Sequence, residues 1–288
     1  MKMKKILTIF INIILLCLFF YFIFSLDFSL FSSYFKEINI FIWPILLLLF
    51  LFSYFLKSLR FKILNGKIPT MVLFEISVIH NFWLTLLPFK TGEIVYLKKL
   101  KELNIGLKKS FSDIVLIRIF DFILIFFALL FLLIFKFEFP LILLIIISLI
   151  FILSFTLVFF PNFYLYLLKK IINIFDKHYI NKILIPIIEF IKIVEKTNIK
   201  KKLLLFFTSI LVWFIVFSPW HILLSILYDL SFLELIAIMG PVMVFTNLPV
   251  NPPGGVGIIH IGWISSLLLV GLNYNDALSF SFFYILYF

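Results

Sequence analysis

Arg118 and Asp121 stand three residues apart inside a long apolar run, so on a helix they share one face. A charge at the centre of a membrane helix costs about 2.5 to 3.5 kcal/mol on insertion scales, so the two must find partners or serve a ligand. Two chemistries fit them. One is a structural ion pair that locks helices together; the other is a cationic anchor for a lipid phosphate, with Asp121 holding the guanidinium in place. Arginine's planar fork suits phosphate oxygens. It is also rare here, since lysine is the usual cation and arginine occurs only at Arg60 and Arg118.

The remaining candidates sit at two breaks. Leu87-Pro88-Phe89-Lys90-Thr91-Gly92-Glu93 and Leu248-Pro249-Val250-Asn251-Pro252-Pro253-Gly254-Gly255-Val256-Gly257 interrupt apolar runs with proline and glycine. In hydrocarbon each freed backbone polar group costs several kcal/mol, so irregular backbone at depth survives only when buried in protein or lining a wet cavity. Paired breaks in the two halves of a chain point to a transporter's binding site. Lys90, Gly92, Glu93, Asn251, Gly254, Gly255 and Gly257, with Arg118, Asp121 and His260, are therefore the candidate substrate-binding residues. Glu93 either caps a helix amino terminus or meets a cation in the cavity. Lys90 either contacts a headgroup or snorkels as an ordinary lysine. His80, His221 and His260 fall in apolar segments without metal-ligand spacing, and HExxH, GxSxG and Gly-rich phosphate-loop motifs are absent. No metal, catalytic residue, cofactor or enzyme activity is expected.

The elements that must position these groups are membrane helices. The chain has 288 residues, a mean hydropathy of +1.24, 64% hydrophobic and 14% charged residues. Crossing a roughly 30 Å hydrocarbon core takes about 20 apolar residues, and several runs reach that length. Apolar segments run over 6–26, 38–59, 69–88, 111–135, 139–160, 203–227, 232–249, 256–271 and from 277 to the end. The expected fold is an all-α polytopic transmembrane bundle of about seven to nine apolar segments with two broken or re-entrant elements, forming one membrane domain over 1–288. The 42 phenylalanines reflect a compositional bias and read as lipid-facing filler.

Formal net charge is +11, yet the lysines lie in loops between spans, where they set topology and meet anionic headgroups rather than nucleic acid. Lys2, Lys4 and Lys5 place the amino terminus in the cytoplasm, with 6–26 as a retained signal anchor of a plasma (inner) membrane protein. A full crossing by 69–88 would put Lys90, Lys98, Lys99, Lys101, Lys108 and Lys109 outside, so that segment, which also carries Glu75, His80 and Asn81, is expected to dip in and return. Residues 161–202 read as cytoplasmic interfacial amphipathic helices, with Pro186 starting the second. Cys17 has no partner for an intramolecular disulfide. The final run, 277–288, is about 18 Å of helix and too short to cross alone, as expected of a chain that stops early.

In order and spacing, the first break, Arg118-Ile119-Phe120-Asp121 and the second break resemble the lysylphosphatidylglycerol synthase transmembrane-region family, also called flippase-like membrane proteins. The resemblance spans most of the chain. It implies an all-helical membrane bundle that binds or moves a lipid, without the soluble lysyltransferase half that some members carry. Pro88, Gly92 and Glu93 match the first motif, Arg118 and Asp121 the second, and Pro249, Pro253, Gly254, Gly255 and Gly257 the third. Where the family usually carries an acidic residue shortly after the last glycine, this chain has His260. Two functions stay open: a translocase for a membrane lipid with an anionic or zwitterionic phosphate headgroup, phospholipid or polyprenyl phosphate, or a non-transporting scaffold for a lipid-modifying enzyme or glycosyltransferase partner.

Overall fold

The computed structural model describes residues 17, 20–87, 90–135, 141–174, 178–247 and 257–287. Among these the chain is all-α. The helices in order are α1 (Phe28–Glu37), α2 (Ile42–Leu64), α3 (Thr70–Leu86), α4 (Gly92–Glu102), α5 (Leu107–Phe135), α6 (Leu141–Phe159), α7 (Pro161–Ile174), α8 (His178–Lys196), α9 (Ile199–Tyr228), α10 (Phe232–Asn247), α11 (Ile258–Leu269) and α12 (Tyr274–Tyr287). Local chemistry sets several of their ends. Asp27 Oδ1 accepts from the Ser29 and Leu30 amides at 2.9 and 3.2 Å to start α1, and Asn198 Oδ1 accepts from the Lys200 amide at 3.0 Å to start α9.

Among the described residues three helices are long and apolar enough to cross a membrane: Ile42–Leu64, Leu107–Phe131 and Ile199–Tyr228. A fourth candidate is the pair α6 and α7, bent by 100° where Phe160 leaves the helix and Pro161 opens the next one. Phe24, Met71, Phe127, Ile142 and Phe214 are among many large apolar side chains left exposed, as a surface bathed in lipid requires. Leu165 buries with Ile188 and Ile191, which ties α7 to α8. Pro186 does not restart a helix, because α8 runs unbroken through it with the proline on an exposed face, where a lost backbone bond and a bend disturb no packing.

Each expected break is flanked by two helices that pack against each other. α3 and α4 run antiparallel, with Gly92 against the backbone of Trp83 and Leu84, and the His80 and Tyr96 rings 5.2 Å apart one turn further on. The chain thus advances about 25 Å along the seventeen residues of α3 and returns along α4. α10 and α11 form the second hairpin, in which Gly262 faces Phe245 and Trp263, Ile264 and Leu267 bury with Leu235, Ile238 and Val242. Pro88, Phe89 and the second break from Leu248 to Val256 lie outside the described residues.

Two apolar cores flank the middle of the bundle. One gathers Trp220, Trp263, Phe280 and Phe283 between α9, α11 and α12; the other gathers Phe61, Leu73, Tyr96, Leu100 and Phe120 between α2, α3, α4 and α5.

Candidate functional site

Between these cores α2, α3, α4, α5, α9 and α10 converge on a cavity of about 160 Å³. Its floor is an ion-pair network. Asp121, with its side chain 3% exposed, accepts on Oδ1 from Arg60 Nη1 at 2.6 Å and from the Trp213 indole N–H at 2.8 Å. Arg118 reaches Glu93 Oε1 with Nη2 at 2.6 Å and Nε at 3.2 Å, while its Nη1 stands 3.9 Å from Asp121 Oδ2. The other Glu93 oxygen lies 3.0 Å from His80 Nε2. Both carboxylates of the cavity are therefore engaged by an arginine, which offsets part of the cost of holding charge away from water.

Two further cations complete the lining. Lys57 Nζ donates to Asn81 Oδ1 at 3.2 Å and sits 4.8 Å from the Tyr54 ring centroid. Lys90 Nζ donates to the Thr246 carbonyl at 2.6 Å, which brings Lys90 to the last turn of α10. Lys90 adopts φ 56, a left-handed conformation that costs a side-chain-bearing residue roughly 1–2 kcal/mol. Glycine would fit that backbone without strain, so the ammonium is retained at a conformational cost.

Of the residues singled out from the sequence, Lys90, Glu93, Arg118 and Asp121 line this cavity. Gly92 stands beside it as the close-contact residue of the first hairpin. Gly257 opens α11 at φ 85, a backbone that favours glycine, but is not among the cavity's lining residues. His260 is not brought to the cavity: it is fully buried on α11, its Nδ1 3.0 Å from Ser281 Oγ and its ring 4.2 Å from that of Phe282. Packing between α11 and α12 accounts for its position. Asn251, Gly254 and Gly255 lie outside the described residues. Glu93 meets Arg118 and His80, and the short partner of Asp121 is Arg60 rather than its helix neighbour Arg118. No group of three or more His, Cys, Asp or Glu side chains with the geometry of a metal site occurs among the described residues.

Lys57, Arg60, His80, Asn81, Trp213 and Thr246 are added by the fold. For Arg60 a signal existed, because it is one of only two arginines and falls at the end of an apolar run. It reads equally well as a topology-setting charge, and only the arrival of Asp121 from 61 residues away decides between them.

An all-α bundle whose described helices include several of membrane-crossing length and composition, with many large apolar side chains exposed, is an integral membrane protein. The chain belongs to the family described as Lysylphosphatidylglycerol synthase TM region, whose sequence profile matches residues 7–287. Comparison with curated proteins and with solved structures gave no match.

Proposed function

We propose that the protein binds the phosphate-bearing headgroup of a membrane lipid in this cavity and carries that lipid across the bilayer as a flippase-like translocase. The observation that carries the reading is charge balance: among the described residues that line the cavity, Lys57, Arg60, Lys90 and Arg118 face only the carboxylates of Glu93 and Asp121. Both carboxylates are taken by arginines, and among the described residues the two lysines donate to neutral oxygens, Asn81 Oδ1 and the Thr246 carbonyl. An anion entering between Lys57 and Lys90 would supply the missing negative charge and gain charge-assisted hydrogen bonds. Arg118, 28% exposed at the side chain, would present its Nη1 edge to the same anion. The headgroup would thus be held at depth while its tails stay in hydrocarbon.

The proposed orientation puts the amino terminus, the lysines of α4 and the α7–α8 pair on the cytoplasmic face of the plasma membrane, with α7 and α8 lying on anionic lipid. A cysteine at Lys99 should then label only from the cytoplasmic side.

Movement of fluorescent phosphatidylglycerol in reconstituted phosphatidylcholine vesicles tests the function. Lys57→Gln with Lys90→Gln should slow it about tenfold or more, the value of one strong charge-assisted bond, with insertion unchanged. Lys90→Gly should do the same while leaving thermal stability level or slightly raised, since it relieves the left-handed residue as it removes the cation. If the double variant moved lipid at the parent rate, the translocase reading would fail and a scaffold for a lipid- or glycan-modifying enzyme would take its place.

A further inference from the structure

A second cavity, of about 230 Å³, adjoins the charged one between α5, α9 and α10, and the two share Trp213 as a wall. Its lining is almost wholly apolar. On α10, Leu235, Met239 and Met243 recur every four residues, a stripe about 12 Å long, and Thr246 and Asn247 of the charged cavity continue it one turn on. On α5, Leu124 and Ala128 continue the face that carries Arg118 and Asp121. Ser218, one of two polar side chains here, donates to the Phe214 carbonyl of its own helix, and the other, His221, stands beside the Phe232 ring at the end remote from Asp121.

Three helices therefore run without interruption from an ion-pair floor into a hydrocarbon groove. Leu235 and Met243 are each 3% exposed at its base, while Phe127, Phe214 and Phe232 are exposed at its mouth. Methionines suit such a wall, because their unbranched thioethers adapt to a flexible chain. Trp213 joins the two compartments: its indole N–H is fixed on Asp121 while its ring forms part of the groove.

We infer that this groove holds one hydrocarbon tail of the lipid whose headgroup occupies the charged cavity; the inference rests on the headgroup reading above. A tail leaving bulk bilayer gains little hydrophobic free energy, since hydrocarbon is exchanged for hydrocarbon. Selection of the tail therefore follows from the headgroup, and the groove fixes where the chain lies. An ordinary boundary lipid would show no dependence on the phosphate.

Photolabelling separates these cases. Phosphatidylglycerol with a diazirine at the end of one acyl chain is compared with diacylglycerol carrying the same chain, both dilute in phosphatidylcholine vesicles containing the full-length protein. The expected result is labelling of Leu235 to Met243 about tenfold stronger with the phosphatidylglycerol probe, as one strong charge-assisted bond at the headgroup would give, and its loss in Met239→Trp, which fills the groove. Equal labelling by the two probes, or cross-links only between two copies of the chain, would overturn the inference, and neither comparison depends on the variant folding. Binding of glycerophosphoglycerol, a headgroup without tails, is measured in parallel. If it binds and labelling is nonetheless equal, the groove assignment falls alone; if it does not bind and labelling is equal, the headgroup reading falls as well.

Discussion

Gly92→Ala is expected to unfold the first hairpin and abolish lipid handling. A Cβ on Gly92 would stand 2.4 Å from the Leu84 amide nitrogen, 2.5 Å from Leu84 Cα and 2.6 Å from the Trp83 carbonyl carbon. All three are backbone atoms of α3, so no side-chain rotation relieves the clash and α3 and α4 must part. Overpacking that side chains can absorb costs about 1–3 kcal/mol, and a backbone clash of this kind belongs at or above the top of that range. Separation also draws Glu93, the next residue, away from both His80 and Arg118. Thermal unfolding in detergent should show the loss directly. Gly106→Ala is the control, since a Cβ there meets nothing within 4 Å, and it should stay within about 0.5 kcal/mol of the parent. A Gly92→Ala protein with parental stability would mean that α3 and α4 do not pack as described.

Asp121→Leu is expected to cost about 3–5 kcal/mol, because it strands the buried guanidinium of Arg60 and releases the Trp213 indole N–H. Arg60→Met with Asp121→Leu should recover most of that loss, since removing both charges leaves neither one buried alone. The coupling between the two sites, read as a double-mutant cycle in unfolding experiments, should therefore be large and favourable. Near-additive effects would show that Arg60 and Asp121 do not depend on each other. The recovered double variant should still be slow in lipid movement, as the floor that positions Trp213 and neighbours Arg118 has changed.

Much of this arrangement is legible in the sequence. Apolar length and the proline-glycine breaks give the helices and their hairpins, because hydrocarbon leaves a chain few other ways to satisfy its backbone. The three-residue spacing of Arg118 and Asp121 places both charges on one face, and Glu93 could be seen as a partner for a cation. What the sequence withholds is who pairs with whom. Glu93 reaches Arg118 across 25 residues and Asp121 reaches Arg60 across 61, distances on which helical periodicity is silent. Trp213 was hidden for another reason: in a chain that is 20% aromatic, one ring carries no signal until its N–H is seen on a carboxylate. His260 shows the reverse, a polar residue near a motif that packing turns toward α12 instead.

The three-residue spacing of Arg118 and Asp121 bears on how such a chain is made. During synthesis α5 enters the bilayer before the bundle has closed, yet it carries Arg118 and Asp121 at a separation where they can neutralise each other, as the surviving 3.9 Å approach indicates. Arg60, four residues from the end of α2, can extend to the interface while it waits. Only when α9 arrives with Ser209 and Trp213 is the final pairing enclosed on all sides. The spacing within α5 thus gives each charge a counter-charge on its own helix, and the 3.9 Å approach is kept in the closed bundle. On this account Asp121→Leu reduces the fraction of newly made chains that insert at all, a defect distinct from the lower stability of those that do.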